Sequence, residues 1–269
     1  MKKVIVSSAF DNLSSRDIRF LEEAAKLGEL HVVLWPDEAV RAATGAAPKF
    51  PLAEREYFVQ AVRYVTKIHF PATVLPDELP GLESVTPEIW AVDEKSASAG
   101  KAAFAQARGI GYRLLTASDC AGYPAPAAVP PSGKKRIVVT GCYDWFHTGH
   151  VRFFEEVSEL GDLYVVVGHD ENIRLLKGDG HPMFTDAERR YIAGSLRYVT
   201  EALVSSGSGW MDAAPEIARI KPDIYAVNED GDKPEKRAFC EQNGLEYVVL
   251  KRTPKPGLTK RSSTDLRGF

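Results

Sequence analysis

Short aliphatic and β-branched runs alternate with amphipathic stretches along the chain. In the second half, the runs predict strands at residues 136–140, 163–167, about 198–204, 223–227 and 246–250. The stretches between them predict helices that begin near Thr148, Thr185, Met211 and Pro234. Strands that alternate with helices form parallel sheets with right-handed crossovers and helices on both faces. The pattern therefore predicts an α/β fold.

The same pattern occurs twice. When the sequence is shifted by about 133 residues, residues 3–7 lie over 136–140. The match continues, with small slips, as far as residues 109–112, which lie over 244–247. Each copy is long enough to be a whole domain, so the sequence predicts an internal duplication.

The duplication predicts three parts. We expect a first domain over residues 1–120, a linker over residues 121–133, and a second domain over residues 134–269. The linker is rich in Pro, Ala and Gly. Ligands of parallel sheets bind at the carboxyl ends of strands, where the strand order reverses. We therefore expect a ligand-binding site in the loop after the first strand of a copy.

In the second copy this loop is Thr140-Gly141-Cys142-Tyr143-Asp144, and His147-Thr148-Gly149-His150 follows at a predicted helix start. Backbone N–H groups at a helix start point at phosphate, and the helix dipole favours negative charge there. Gly149 removes a side chain that would keep the backbone away from a ligand. Imidazoles are donors that can be cationic near neutral pH. The loop therefore predicts a site for a transferring phosphoryl or nucleotidyl group.

This loop resembles the His-x-Gly-His signature of the cytidylyltransferase-like nucleotidyltransferases. The resemblance extends over residues 134–267, above all to glycerol-3-phosphate and ethanolamine-phosphate cytidylyltransferases. It implies two tandem Rossmann-like domains and an enzyme that joins a nucleoside monophosphate to a phosphorylated metabolite, releasing pyrophosphate. It implies catalysis by His147 and His150. The loop residues implied to bind nucleotide are Thr140, Gly141, Cys142, Tyr143, Asp144 and Gly149.

Two further basic residues are implied by the resemblance to be catalytic. Lys177 lies at a Gly-rich turn and matches a family lysine that reaches the phosphates. Arg197 matches an arginine that binds phosphate, in an Arg-Tyr-Val segment that packs at the family's dimer interface. Arg189 and Arg197 are eight residues apart, about two helical turns, so we expect that they could share a helix face.

The C-terminal part supplies the rest of the implied nucleotide site. Asn228 and Asp230 follow the fourth strand, where the family holds the nucleotide, although Asn228 takes the place of a glycine. Ser262, Ser263 and Thr264 resemble the family's Ile-Ser-Thr-Thr segment, whose hydroxyls would form a second phosphate cradle at a helix start. Either Arg252 or Arg261 could supply the arginine that precedes this segment.

The first copy lacks these residues. Ser14, Ser15, Arg16 and Asp17 lie where the second copy has its two histidines and the glycine between them. Asp17 would place a carboxylate where triphosphate charge must lie. The core pattern remains, so we expect a degenerate, non-catalytic domain that acts as a structural partner. The alternative is that it binds a regulator or part of the acceptor.

Composition limits the partners. The chain has 269 residues, 44% of them hydrophobic, and a net charge of -3, so there is no bulk basic signal for nucleic acid. No apolar run approaches the roughly 20 residues of a membrane span. Three cysteines without a Cys-x-x-Cys motif indicate reduced thiols in a cytoplasmic protein and give no metal framework.

The expected substrates are a nucleoside triphosphate with Mg²⁺ and a phosphorylated small molecule, which could be a polyol, amino alcohol or sugar phosphate. We expect CTP, because the Arg-Tyr-Val segment and the segment around Trp210 resemble glycerol-phosphate enzymes. ATP is the alternative, because residues 150–156 and 174–178 equally resemble heptose-phosphate adenylyltransferases that make ADP-heptose. A non-catalytic nucleotide-binding regulator is the third possibility. Because both copies contain an Arg-Tyr-Val-Thr segment, a monomer with an intrachain pseudo-dimer is expected.

Overall fold

The computed structural model describes residues 1–82, 85–263 and 266. The chain divides into two compact units, Met1–Gly122 and Tyr123–Phe269. Each unit contains one five-stranded sheet in which all neighbouring strands are parallel. The predicted class, two tandem Rossmann-like α/β units, is confirmed.

The first unit has the strand order β3-β2-β1-β4-β5. Its strands are β1 (Lys3–Ser8), β2 (Glu29–Leu34), β3 (Lys67–His69), β4 (Ile89–Asp93) and β5 (Gly111–Leu115). Its helices are α1 (Ser15–Ala25), α2 (Asp37–Thr44), α3 (Leu52–Ala61) and α4 (Ala99–Ala107).

The second unit has the matching order β8-β7-β6-β9-β10. Its strands are β6 (Arg136–Gly141), β7 (Asp162–Val167), β8 (Val199–Val204), β9 (Ile224–Asn228) and β10 (Glu246–Leu250). Its helices are α5 (Thr148–Leu160), α6 (Asp170–Lys177), α7 (Asp186–Gly194), α8 (Ala214–Ile220) and α9 (Pro234–Asn243). Short 3₁₀ helices occupy Gly209–Met211 and Glu229–Gly231.

The predicted strands of the second copy are confirmed to within one residue. The helix predicted to begin near Met211 is a 3₁₀ turn there, and α8 begins only at Ala214, with Pro215 in its first turn. Helix α6 was not predicted, because it buries only Asn172 and Ile173 and so lacks an apolar stripe.

Burial explains the central position of β6 and β7. All six residues of β7 are buried, as are Ile137, Val138 and Val139 of β6, because helices cover both faces of a parallel sheet. Helix α5 packs onto this sheet through Val151, Phe154 and Val157, which are spaced about one helical turn apart. The N-terminus of α5 is thereby held next to the carboxyl end of β6.

The duplication extends to a buried arginine in each unit. The Arg189 guanidinium is fully buried. It donates hydrogen bonds to three backbone carbonyls, those of Phe184, Cys142 and Gly168, and to the Asp170 carboxylate. The Arg55 guanidinium donates in the same way to the carbonyls of Phe50, Ala9 and Trp35 and to the Asp37 carboxylate. Each residue of one set matches its counterpart in the aligned sequence, so the two units share a scaffold.

Part of the segment predicted as a linker lies against the second unit. The Val129 N–H donates to the Thr200 carbonyl at 2.9 Å, and Arg190 donates to the Tyr123 carbonyl at 3.0 Å.

Among the described residues, no helix is long and apolar enough to cross a membrane.

Candidate active site

A cavity of about 230 Å³ opens at the carboxyl ends of β6 and β9 in the second unit. Strand β6 has β7 on one side and β9 on the other, so the cavity lies where the strand order reverses. Most of the residues that the sequence predicts for the site line this cavity: Thr140, Gly141, Cys142, Tyr143, Asp144, His147, Gly149, His150, Lys177, Asn228, Asp230 and Ser263.

Two imidazoles lie at the first turn of α5. His147 is the N-cap of this helix, and its Nδ1 accepts a hydrogen bond from the backbone N–H of Gly149 at 3.0 Å. In the neutral ring this leaves the proton on Nε2. The ring centroid of His150 is 4.0 Å from that of His147. Both rings therefore lie where backbone N–H groups and the helix dipole attract phosphate.

The surroundings of His150 favour its neutral form. Burial lowers the pKa of His150 well below its usual value, and the charges of His147, Arg252 and Lys177 lower it further. Its ring packs against the aromatic rings of Tyr143 and Phe146, at centroid distances of 5.5 and 5.0 Å. An anion in the cavity would favour the imidazolium and so raise this pKa.

Gly149 is required by the histidine as well as by a ligand. A Cβ at this position would lie 2.7 Å from Cε1 and 2.8 Å from Nδ1 of His147. Real Cβ atoms essentially never approach so closely, so any larger residue would displace the ring. The sequence suggested only that Gly149 lets a ligand approach the backbone.

The loop before the histidines has the same shape in both units. Tyr143 and Trp145 have positive φ angles of 52° and 49°, and the matched Phe10 and Asn12 have 44° and 61°. Positive φ is unfavourable for aromatic residues. Because it occurs in both units at Phe10 and Tyr143, the strain there belongs to the scaffold and does not depend on the histidines.

Two of the predicted nucleotide-binding residues have polar atoms fixed in the wall. The hydroxyls of Thr140 and Tyr225 are hydrogen-bonded at 2.6 Å. Burial raises the pKa of Tyr143 well above its usual value, so its hydroxyl stays protonated at neutral pH. Both groups are therefore neutral at the cavity.

Asp144 holds a loop in place. Its carboxylate accepts hydrogen bonds from the backbone N–H groups of Met183 and Phe184, at 3.0 and 3.1 Å. In the first unit, the matched Asp11 accepts from the N–H groups of Lys49 and Phe50, at 2.8 and 2.9 Å. Because the same clamp occurs in the first unit, which lacks counterparts of His147 and His150, it belongs to the shared scaffold. The carboxylate nevertheless remains in the cavity wall.

Cationic and hydroxyl groups complete the wall. Lys177 is the last residue of α6. Arg252 is paired with Asp230 at 2.7 Å, and the Ser263 hydroxyl donates to the Asp144 carbonyl at 3.0 Å. The site therefore brings the His147–His150 pair together with Lys177 and Arg252 at the end of a parallel sheet, which suits a group with several phosphates.

The comparison with known proteins agrees with this geometry. The model of the cytidylyltransferase-like family matches residues 138–268. A FAD synthase from Ferroglobus placidus is 37% identical over 120 residues, which cover 44% of this chain and 75% of that protein. The chain belongs to the cytidylyltransferase-like family. It is accordingly an enzyme of the nucleotidyltransferase class.

Two further comparisons cover a similar share of the chain. The bifunctional protein HldE from Desulfatibacillum aliphaticivorans is 39% identical over 121 residues, which are 44% of this chain but only 24% of that protein. A solved structure, the lipopolysaccharide core biosynthesis protein from Thermoplasma volcanium GSS1, matches 46% of this chain and 99% of its own length, at 25% identity and a TM-score of 0.39.

Two of the predicted site residues that the structure describes, Arg197 and Ser262, do not line the cavity. Helix α7 ends at Gly194, so Arg197 does not continue the face of Arg189; it is exposed in the turn before β8. That turn is at the amino edge of the sheet, opposite the cavity, and its position does not suit a catalytic role for Arg197. Ser262 does not line the cavity, and Thr264 lies outside the described residues.

The two arginines that the sequence left open are both close to the site. Arg252 lines the cavity, whereas Arg261 lines an adjoining groove with Lys251, Lys260 and Arg152. This groove shares Arg252 with the cavity and is rich in positive charge. It extends the positively charged lining of the cavity along the C-terminal segment.

Sequence reasoning missed four polar or aromatic lining residues, Trp145, Phe153, His181 and Lys236. The Lys236 ammonium donates to the Gly231 carbonyl at 3.1 Å, and burial lowers its pKa. Lys101 donates to Ser96 in the same way in the first unit, so Lys236 is part of the scaffold. His181 is within a segment that resembles the family, but a single loop histidine gives no signal of its own.

The described residues contain no group of three or more His, Cys, Asp or Glu side chains that could hold a metal ion. The acidic side chains that line the cavity, Asp144 and Asp230, are engaged by backbone N–H groups and by Arg252. This donor set fits a Mg²⁺ ion that arrives on the triphosphate, because Mg²⁺ commonly uses one or two carboxylates and the substrate's own phosphates.

Proposed function

We propose that the second domain transfers AMP from MgATP to a phosphorylated small molecule and releases pyrophosphate. The observation that supports this most strongly is the pair of imidazoles, 4.0 Å apart, at the N-terminus of α5 in a cavity with Lys177 and Arg252. Preorganised donors at a helix N-terminus stabilise charge that develops on phosphate.

ATP is favoured over CTP by two arguments. FAD and ADP-heptose, the products of the matching FAD synthase and HldE relatives, both contain an adenylyl group. The expectation of CTP rested on the segments around Arg197 and Trp210, and neither of these residues lines the cavity. The residues from which CTP was inferred therefore do not contact the nucleotide in this proposal.

In the proposed reaction, a phosphate oxygen of the acceptor attacks the α-phosphorus in line. The new P–O bond forms as the bond between the α-phosphorus and the bridging oxygen breaks, and MgPPi leaves with both electrons of that bond. The Nε2–H of His147 donates a hydrogen bond to a phosphate oxygen, and the bound anion raises the pKa of His150, which favours its cationic form, the stronger hydrogen-bond donor. The protein supplies position and charge, without a covalent enzyme intermediate.

The first domain is proposed to be a non-catalytic structural partner. Ser14 and Asp17 form a capping box at the start of α1, in which the Asp17 carboxylate accepts from the Ser14 N–H at 2.7 Å. Burial raises the pKa of Asp17, and the nearby Asp93 raises it further, although the bonds from Ser14 oppose this. A carboxylate used in this way leaves no place for a phosphate.

Calorimetric titration with MgATP, MgCTP, MgGTP and MgUTP tests the nucleotide assignment. We expect the tightest binding for MgATP, and we expect His147→Ala to weaken it while Ser14→Ala does not. Tighter binding of MgCTP would return the assignment to a cytidylyltransferase. Equal binding of all four would remove base recognition from the proposal.

A further inference from the structure

The loop at residues 178–184 forms the wall of the cavity on the β7 side. It follows α6, which itself follows β7, whereas Asn228 and Asp230 end β9 on the other side of β6. His181 in this loop lines the cavity, and its Nδ1 is 3.8 Å from Oδ2 of Asp144. The two walls are therefore built by different strands, with the histidine pair between them.

A comparison of the matching loops in the two units shows which residues build this loop and which residue differs between them. Asp144 clamps the loop through Phe184, just as Asp11 clamps the matching loop through Phe50. With the clamps aligned, His181 corresponds to Ala47, and each is followed by proline. The first unit thus keeps the loop and its clamp with alanine at this position. Histidine is not needed to build the loop.

A histidine at this wall is suited to a phosphate monoester. We propose that the triphosphate binds in the cavity with its base on the β9 side. There Asn228 supplies an amide and Asp230 a carboxylate, which are groups that can bind a base. An in-line displacement needs the attacking and leaving oxygens on opposite sides of the α-phosphorus. The β7 side has Lys177 and His181, two donors that can be cationic, and so suits a second anion.

We propose that His181 binds the phosphate group of the acceptor. This inference rests on the proposed function for the identity of the reaction, but binding of phosphate can be measured without turnover. Asp144 holds the loop, Lys177 borders it, and His181 provides a donor to an acceptor oxygen. The loss of one charge-assisted hydrogen bond predicts that phosphate binding weakens about 10-fold or more.

The test is a calorimetric titration of the full chain with inorganic phosphate, in the presence of Mg²⁺ and a saturating non-hydrolysable ATP analogue. The analogue occupies the triphosphate site, so phosphate reports the remaining anion site. The variant is His181→Ala, which installs the residue of the first unit. The control is Met183→Ala, which changes an exposed side chain of the same loop and keeps the clamped N–H.

We expect His181→Ala to weaken phosphate binding about 10-fold or more, with binding of the analogue and the melting temperature unchanged. Met183→Ala should leave phosphate binding as it is. Unchanged phosphate binding in His181→Ala, an equal loss for phosphate and the analogue, or no phosphate binding to the wild type would each overturn the inference. If phosphate binds as expected but no acceptor reacts with ATP, the proposed function fails and the phosphate site stands.

Discussion

The matched arginines permit a test of the fold with its own internal control. In Arg189→Met, the carbonyls of Phe184, Cys142 and Gly168 lose their donor, and the Gly168 carbonyl remains buried while the other two are half-buried. A buried polar group left unsatisfied costs about 1–3 kcal/mol, and breaking a buried ionic contact costs about 3–5 kcal/mol. The methionine recovers part of this through packing, so we expect a loss of about 4 kcal/mol in the second unit.

Amide hydrogen exchange measures this loss in each sheet separately. A loss of about 4 kcal/mol corresponds to an increase of about 10³-fold in the exchange of β6, if these amides exchange through unfolding of the unit. We expect Arg189→Met to accelerate amide exchange in β6 by this factor and to leave amide exchange in β1 unchanged. Arg55→Met should do the reverse and leave catalysis intact, because the cavity belongs to the second unit.

Two results would refute the reasoning about these arginines. One is an increase in β6 exchange of less than about 10-fold in Arg189→Met, which would mean that the buried bonds contribute little. The other is equal acceleration of β1 and β6 in either variant, which would mean that the hydrogen bonds do not stabilise the unit that contains them.

Three further predictions concern the cavity. His147→Ala and His150→Ala should each lower kcat about 100-fold or more, as expected for loss of a transition-state donor, whereas Ser14→Ala should not; equal losses would contradict the site. The fold lowers the pKa of His150, so this histidine is protonated at a higher pH in the unfolded chain than in the folded one. The free energy of unfolding should therefore decrease as the pH falls below about 6.5. Urea unfolding at pH 5 to 7 should show this loss, by at most about 1.4 kcal/mol per pH unit, and His150→Asn should lack it. Gly149→Ala should lower kcat by displacing His147, whereas Gly178→Ala, where no atom lies within 4 Å of the added Cβ, should affect kcat much less despite its positive φ.

The sequence predicted the second sheet well for a physical reason. Runs such as residues 137–139 and 163–167 consist of aliphatic residues and one tyrosine, without a charged residue, as expected for strands covered on both faces. The loop at residues 140–150 was also predictable, because the residues that form this helix start, a glycine and two histidines, are neighbours in the sequence. Helix α6 was missed since its residues are mostly polar and only two are buried.

The rest of the site depends on contacts that spacing does not determine. Arg197 was assigned from the resemblance of its Arg-Tyr-Val segment to the family, and the helix face that it was expected to share with Arg189 ends three residues earlier, at Gly194. His181 reaches the cavity only because Asp144 clamps its loop, a contact between residues about 40 positions apart. Lys236 comes from α9, beyond the fourth strand. Such residues become visible when the two copies are compared atom by atom.

Transfer of label from ATP tests the central claim most directly. ATP labelled at the α-phosphate and ATP labelled at the γ-phosphate are each incubated with the protein, Mg²⁺ and a panel of sugar, polyol and flavin phosphates. We expect the α-label to move to one acceptor in equal amount to the pyrophosphate released, and we expect His147→Ala and His150→Ala to abolish most of this transfer. Transfer of the γ-label to the acceptor, or α-label transfer that survives loss of both histidines, would contradict it.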